Sequence, residues 1–126
     1  MKAKPKRRTS NNDLEGPNLC ITWSDSQSLV ASWEFKNEQK EAIEQRFAIP
    51  LSELPFVLRV YDVTERMIKN DGLDHYVDFE INLQADECLL YGMERNREYC
   101  GELGVRMVDG RYYSLKRSHR VPPCAG

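Results

Sequence analysis

The sequence predicts an all-β sandwich of seven strands with one short helix between the second and third. Apolar residues recur with period two in short stretches, the pattern of half-buried strands. Turn-forming clusters separate these stretches about every ten residues, as in antiparallel sandwiches. Only one stretch breaks the alternation, whereas parallel βαβ units would need a helix between most strands. At 126 residues the chain is the size of one domain, and an apolar fraction of 40% suffices for one core. We divide it into a disordered basic arm (1–17), a sandwich (18–122) and a short tail (123–126).

Each element has its own cause. Residues 1–17 are charged and polar and end in Gly16-Pro17. Leu19, Ile21 and Trp23 then alternate with Cys20 and Thr22 as a first strand. After the polar turn Ser24–Ser28, Leu29, Ala31, Trp33 and Phe35 share one face of a second. From Asn37 to Ala48 the period changes. Asn37 can cap a helix, Glu38 and Glu41 suit its first turn, and Ile43 and Phe47 lie four apart on its buried stripe. Pro50 forbids continuation.

Phe56–Val63 is the most β-prone run and is nearly apolar on both faces, as a central strand should be. Asn70-Asp71-Gly72 marks a turn. His75, Val77, Phe79, Ile81 and Leu83 alternate with Tyr76, Asp78, Glu80 and Asn82, and a shorter strand covers Glu87–Gly92. Tyr99, Leu103, Val105 and Met107 mark the sixth strand. Asp109-Gly110 predicts a two-residue hairpin into Arg111–Lys116, and Pro122-Pro123 ends the fold.

Two placements sharpen the architecture. Trp33 points inward from the second strand, and Tyr99 opens the sixth just after a turn, where its hydroxyl can tie the corner between the sheets. The pattern resembles an immunoglobulin or fibronectin type III sandwich. The segments Ser28–Glu34, Val57–Thr64, Tyr76–Ile81, Tyr99–Ser118 and Val121-Pro122 are also similar, in that order, to a bacterial family of uncharacterised proteins, domain-of-unknown-function family 4912. The likeness runs from about Asn18 to Val121. Leu90-Tyr91 stands where the family has Trp-Tyr, and His119 where it has Asn, so any ligand contact by those two family residues is absent here. The resemblance implies the sandwich fold and no established activity. It also implies a link to storage-glucan metabolism, since some relatives are encoded beside enzymes of that chemistry.

Charge and motifs bear on function. Lys2, Lys4, Lys6, Arg7 and Arg8 are all basic, while the rest of the chain holds 13 basic against 20 acidic side chains. An acidic body is unlike the basic face of a duplex-binding protein. The longest uncharged stretch, Gly16–Ser24, is far short of the roughly 20 residues of a membrane span. The arm leads into Thr9–Asp13 instead of the apolar core of an export signal, which predicts a cytoplasmic protein without membrane attachment. Cys20, Cys88, Cys100 and Cys124 form no CxxC pair and have no histidine at ligand spacing. We therefore expect free thiols, no metal and no cofactor.

Neither a nucleophile elbow nor a phosphate-binding glycine loop is present, and catalytic residues are not expected. The predicted role is a non-catalytic binding or adaptor module for a protein partner. Tyr61, Tyr76, Tyr91 and Tyr112 fall on the polar phases of their strands, and outward tyrosines suit protein and sugar surfaces. Arg117, His119 and Arg120 add a cationic corner, with Asp62 expected to neutralise Arg117 in an ion pair. Two alternatives remain open. Lys2, Lys4, Lys6, Arg7 and Arg8 suit weak, salt-sensitive nucleic-acid binding. A small carbohydrate-binding module would use the same architecture, although Trp23 and Trp33 both read as core rather than as a sugar platform.

Overall fold

A computed structural model describes residues 18–64 and 75–125. The strands are β1 (Asn18–Asp25), β2 (Ser28–Glu34), β3 (Phe56–Asp62), β4 (Tyr76–Glu80), β5 (Glu87–Tyr91), β6 (Tyr99–Arg106) and β7 (Tyr112–Val121), with helix α1 (Asn37–Phe47) between β2 and β3. They form two antiparallel sheets, β1-β2-β5 and β4-β3-β6-β7, packed face to face. The sandwich, its seven strands and the position of its helix are as the sequence predicts. The predicted arm and the Asn70-Asp71-Gly72 turn lie outside the described residues.

The inward residues of the two sheets meet in one core. Leu19, Ile21, Leu29, Ala31, Trp33 and Leu90 come from the smaller sheet, and Leu58, Val60, Tyr99, Leu103 and Val121 from the larger. Trp33 donates its indole N–H to the Ala85 carbonyl at 3.1 Å, so the one polar atom of this large side chain is satisfied as it is buried. Gly101 takes an inward position of β6 because the Ile21 side chain occupies the place a Cβ would fill.

α1 closes one end of the sandwich. Ile43 is buried there with Leu54, Phe56 and Val105, and Phe47 packs against the same cluster. Its first helical residue is Asn37, so the expected Asn37 cap moves back by one. Lys36 flanks the helix, and its backbone N–H donates to the Gln39 side-chain carbonyl at 2.7 Å. This is the bond of a capping box in which the third helical residue reaches back to the flanking N–H. Ala48 ends the helix at φ 57°, donating its N–H to Glu44.

The β6–β7 hairpin also departs from expectation. Met107 N–H donates to Arg111 and Gly110 N–H to Met107, leaving Val108-Asp109-Gly110 as a three-residue loop instead of two. Gly110 sits at φ +94°, the left-handed residue such loops require, so the glycine was correctly read and the loop length was not.

Tyr99 behaves as its position predicts. Its hydroxyl accepts the backbone N–H of Glu94 at 2.9 Å, holding the turn before β6 onto the strand, and its ring meets Trp23 edge-on at 5.9 Å. Tyr99→Phe keeps the packing and deletes only that bond. We expect a loss of about 1 kcal/mol in urea unfolding, with the denaturant slope unchanged.

Candidate functional site

Side chains alternate along β3, β6 and β7, so those not in the core gather on the outer face of the four-stranded sheet. Its centre is Glu102 on β6, which is 4% exposed. A carboxylate so buried must be satisfied by donors. Tyr112 hydroxyl donates to Oε1 at 2.9 Å and Tyr61 hydroxyl to the same oxygen at 3.1 Å. Ser114 hydroxyl donates to Oε2 at 2.8 Å, and Arg117 closes the set with both Nε and Nη2 on Oε2 at 3.2 and 3.1 Å.

A second group adjoins it. Arg59 grips Asp78 with two parallel bonds of 2.8 and 3.0 Å, and Arg106 reaches the same carboxylate at 2.8 Å. The Arg59 guanidinium lies between two rings, 3.9 Å from the centre of Tyr76 and 3.8 Å from that of Tyr112. Tyr112 in turn lies over Gly104, where a Cβ would come within 2.5 Å of its hydroxyl oxygen. The glycine makes room for the ring, and the ring shields Arg59 and Glu102 from water. Tyr61 is 5% exposed and meets Tyr76 edge-on at 5.8 Å, with Arg117 over its other side.

The electrostatics follow from this packing. The bonds from Arg59 to Asp78 outweigh its burial and hold the guanidinium above its ordinary range. Burial, then the Glu102 charge, push the Tyr112 phenol well above its ordinary value of 10.0, and the same two causes raise Tyr61. A phenol raised in the folded state keeps its proton where the unfolded chain has lost it. Its contribution to stability is complete below pH 10.0 and is lost as the pH rises above that value. We expect the urea midpoint to fall steeply above about pH 10, with Tyr61 and Tyr112 giving phenolate absorbance only as the chain unfolds.

The sequence-predicted residues divide accordingly. Tyr61, Tyr76, Tyr112 and Arg117 converge on this one face. Tyr91 stands apart on β5 in the other sheet, 67% exposed and edge-on to Phe79 at 5.9 Å. His119 is exposed, and Arg120 is bound to Glu98 at 2.8 Å and to the Val63 carbonyl at 3.2 Å. The expected Asp62–Arg117 pair does not form. Asp62 accepts from Arg97 at 2.9 Å and from the Thr64 N–H at 3.0 Å; burial pushes its carboxyl up, but these bonds outweigh it and hold the group low. The cause is strand pairing: Asp62 lies level with Tyr99 and Val121, four positions along β7 from Arg117, which faces Glu102. Lys2, Lys4, Lys6, Arg7 and Arg8 lie outside the described residues.

Sequence reasoning missed Glu102, Arg59, Asp78 and Arg106. The only available signal was charge inside strands that otherwise read as buried.

Among the described residues no cluster of His, Cys, Asp or Glu could hold a metal ion, and no helix is long and apolar enough to cross a membrane. The four cysteines are free thiols. Trp33 is buried, and Trp23 is half-buried with its N–H on the Pro122 carbonyl at 2.7 Å, so neither offers an open face to a sugar.

Two three-and-four-stranded antiparallel sheets, a tryptophan on β2 and a tyrosine tying the turn before β6 define a fibronectin type III-like sandwich. Solved structures agree. The chain is similar to the third fibronectin III domain of the human KIAA0343 protein at 12% identity and a TM-score of 0.59, covering 98% of this chain and 94% of that one. It is also similar to the fn3 domain of the human collagen alpha-1(XX) chain at 16% identity and a TM-score of 0.51, covering 88% and 87%. Identity this low speaks for the fold alone. Residues 17–123 match the model of the domain of unknown function DUF4912, and the chain belongs to that family. No curated protein matches it.

Proposed function

We propose that this chain is a non-catalytic binding module that recognises a protein partner with the outer face of its four-stranded sheet. The observation that carries the reading is the fixed Tyr76–Arg59–Tyr112 stack beside Glu102 and Arg117. Tyrosine and arginine are the side chains that most often dominate protein interfaces. Here they are already held in place, so little rotamer freedom is left to lose on binding. Tyr76 is 48% exposed, and the Arg106 and Arg117 side chains each 42%, so the plateau presents a ring edge and two cations. Such a surface fits a partner with carboxylates around an apolar centre.

The test is affinity capture from the native cell extract with wild type, Tyr76→Ser and Arg106→Glu, after nuclease treatment and with soluble α-glucan as competitor. A defined protein recovered by wild type and lost with both variants supports the reading. Recovery that needs nucleic acid, or that α-glucan displaces, replaces it with one of the two alternatives.

A further inference from the structure

We infer that β5 pairs edge to edge with β5 of a second copy of this chain, antiparallel about a two-fold axis at Leu89. The two three-stranded sheets would become one of six. This does not depend on recognition of a partner by the other sheet.

The argument begins with what is exposed. Among the described residues, the large apolar side chains left in solvent are Tyr76, Val77, Leu89, Tyr91 and Val108, and all but Val108 lie on β4 or β5, the two strands that end their sheets on the same side. Phe79 and Tyr91 touch across that side, and a hollow of about 400 Å³ there is lined by Tyr76, Val77, Gly92 and Met93 among others.

Sheet edges are usually guarded, because their unpaired backbone groups can take up another strand. β4 carries Asp78 and Glu80 on its outer face, and β7 carries Lys116, Arg117 and Arg120. β1 exposes small polar positions such as Asn18, Cys20 and Thr22 and the charged Asp25, and it lies alongside β7, with Trp23 bonded to Pro122. Among the described residues of β5, only Glu87, at its start, offers such protection. From Cys88 to Met93 there is no charge, and Leu89 is 50% exposed.

The backbone groups fit the same pairing. Trp33 N–H donates to the Asp86 carbonyl at 3.1 Å, in register with the β2–β5 ladder. Hydrogen bonding alternates along an antiparallel ladder, so Asp86, Cys88 and Leu90 point their N–H and C=O groups at β2, while Glu87, Leu89 and Tyr91 point theirs outward. Placing the axis at Leu89 sets Leu89 against its own copy and Glu87 against Tyr91 of the second copy. All three outward residues are then used, each facing pair exchanging two N–H···O bonds. The one charged residue of the strand also meets a tyrosine position and not another carboxylate.

Sedimentation equilibrium of the full chain under reducing conditions tests this. Wild type is expected to dimerise reversibly. Tyr91→Glu sets carboxylates opposite Glu87 twice per dimer and should weaken association about tenfold. Adding Glu87→Lys to Tyr91→Glu makes both facing pairs opposite in charge and should restore it. Leu89→Lys places two like charges on the axis and should also dissociate the dimer. These side chains are exposed, and circular dichroism checks that each variant is folded. A wild type that stays monomeric up to about 1 mM overturns the inference. So does a dimer that Tyr91→Glu leaves intact, or one that the double substitution fails to restore.

Discussion

Replacing Glu102 by alanine is expected to cost about 3 kcal/mol, a large share of the roughly 5–15 kcal/mol that holds a domain of this size folded. The carboxylate is the common acceptor for Tyr61, Tyr112, Ser114 and Arg117, and its removal strands all four donors at once. The upper end of the range for a broken buried pair, about 5 kcal/mol, is not reached, because the Arg117 side chain is 42% exposed and water can take over its bonds. The phenols have no such recourse. A urea titration should show a lower midpoint with the slope unchanged. Adding Arg117→Ala should cost less in the Glu102→Ala background than in the wild type, since the two residues act on one another. A fall below about 1 kcal/mol would mean that water fills the site without penalty.

Trp33→Ala should do comparable damage for a different reason. The indole is buried between the sheets and fixed to the Ala85 carbonyl, and Trp33 and Leu19 face each other across the β1–β2 ladder. Truncation empties the largest side chain from the core and leaves a carbonyl without its donor. Large-to-small substitutions of this kind cost about 3–5 kcal/mol. Thermal unfolding is the direct check, and Trp33→Phe should recover much of the loss by refilling the volume. An equal loss in both variants would assign the effect to the hydrogen bond instead of the packing.

Different parts of this molecule were legible to different degrees. Strands with one wet face announced themselves, as when Leu29, Ala31 and Trp33 alternate with Val30 and Ser32, because burial on one face imposes period two. Tyr99 could be read because a turn, a strand start and a phenol coincide. The centre of the outer face could not. Glu102 lies between Gly101 and Leu103 in a strand buried on both faces, and nothing in Gly-Glu-Leu-Gly says that four donors from β3 and β7 will converge on it. Two of those donors, Tyr61 and Tyr112, were singled out as outward rings, but the carboxylate that organises them was not. The partner of Arg117 was misassigned for a related reason. Which residues lie level across β3, β6 and β7 is set by strand pairing, and Asp62 lies level with Tyr99 and Val121, four positions along β7 from Arg117.

The two ends of the described sandwich have a mechanical consequence. Asn18 leaves beside Trp33, Asp86 and Lys116, whereas Cys124 is tied to Arg95 at the opposite end, and Trp23 grips Pro122 close to it. Tension applied through the chain would therefore pull along β1, at right angles to its hydrogen bonds with β2. The ladder from Asn18↔Glu34 to Trp23↔Leu29 would be loaded in shear, many bonds together, instead of being peeled open one at a time. A module strung in series through these two exits would resist stretching until β1 slid as a unit. Single-molecule pulling from the two ends should show one sharp rupture, and Trp23→Phe, which deletes the bond to Pro122, should lower the force at which it occurs.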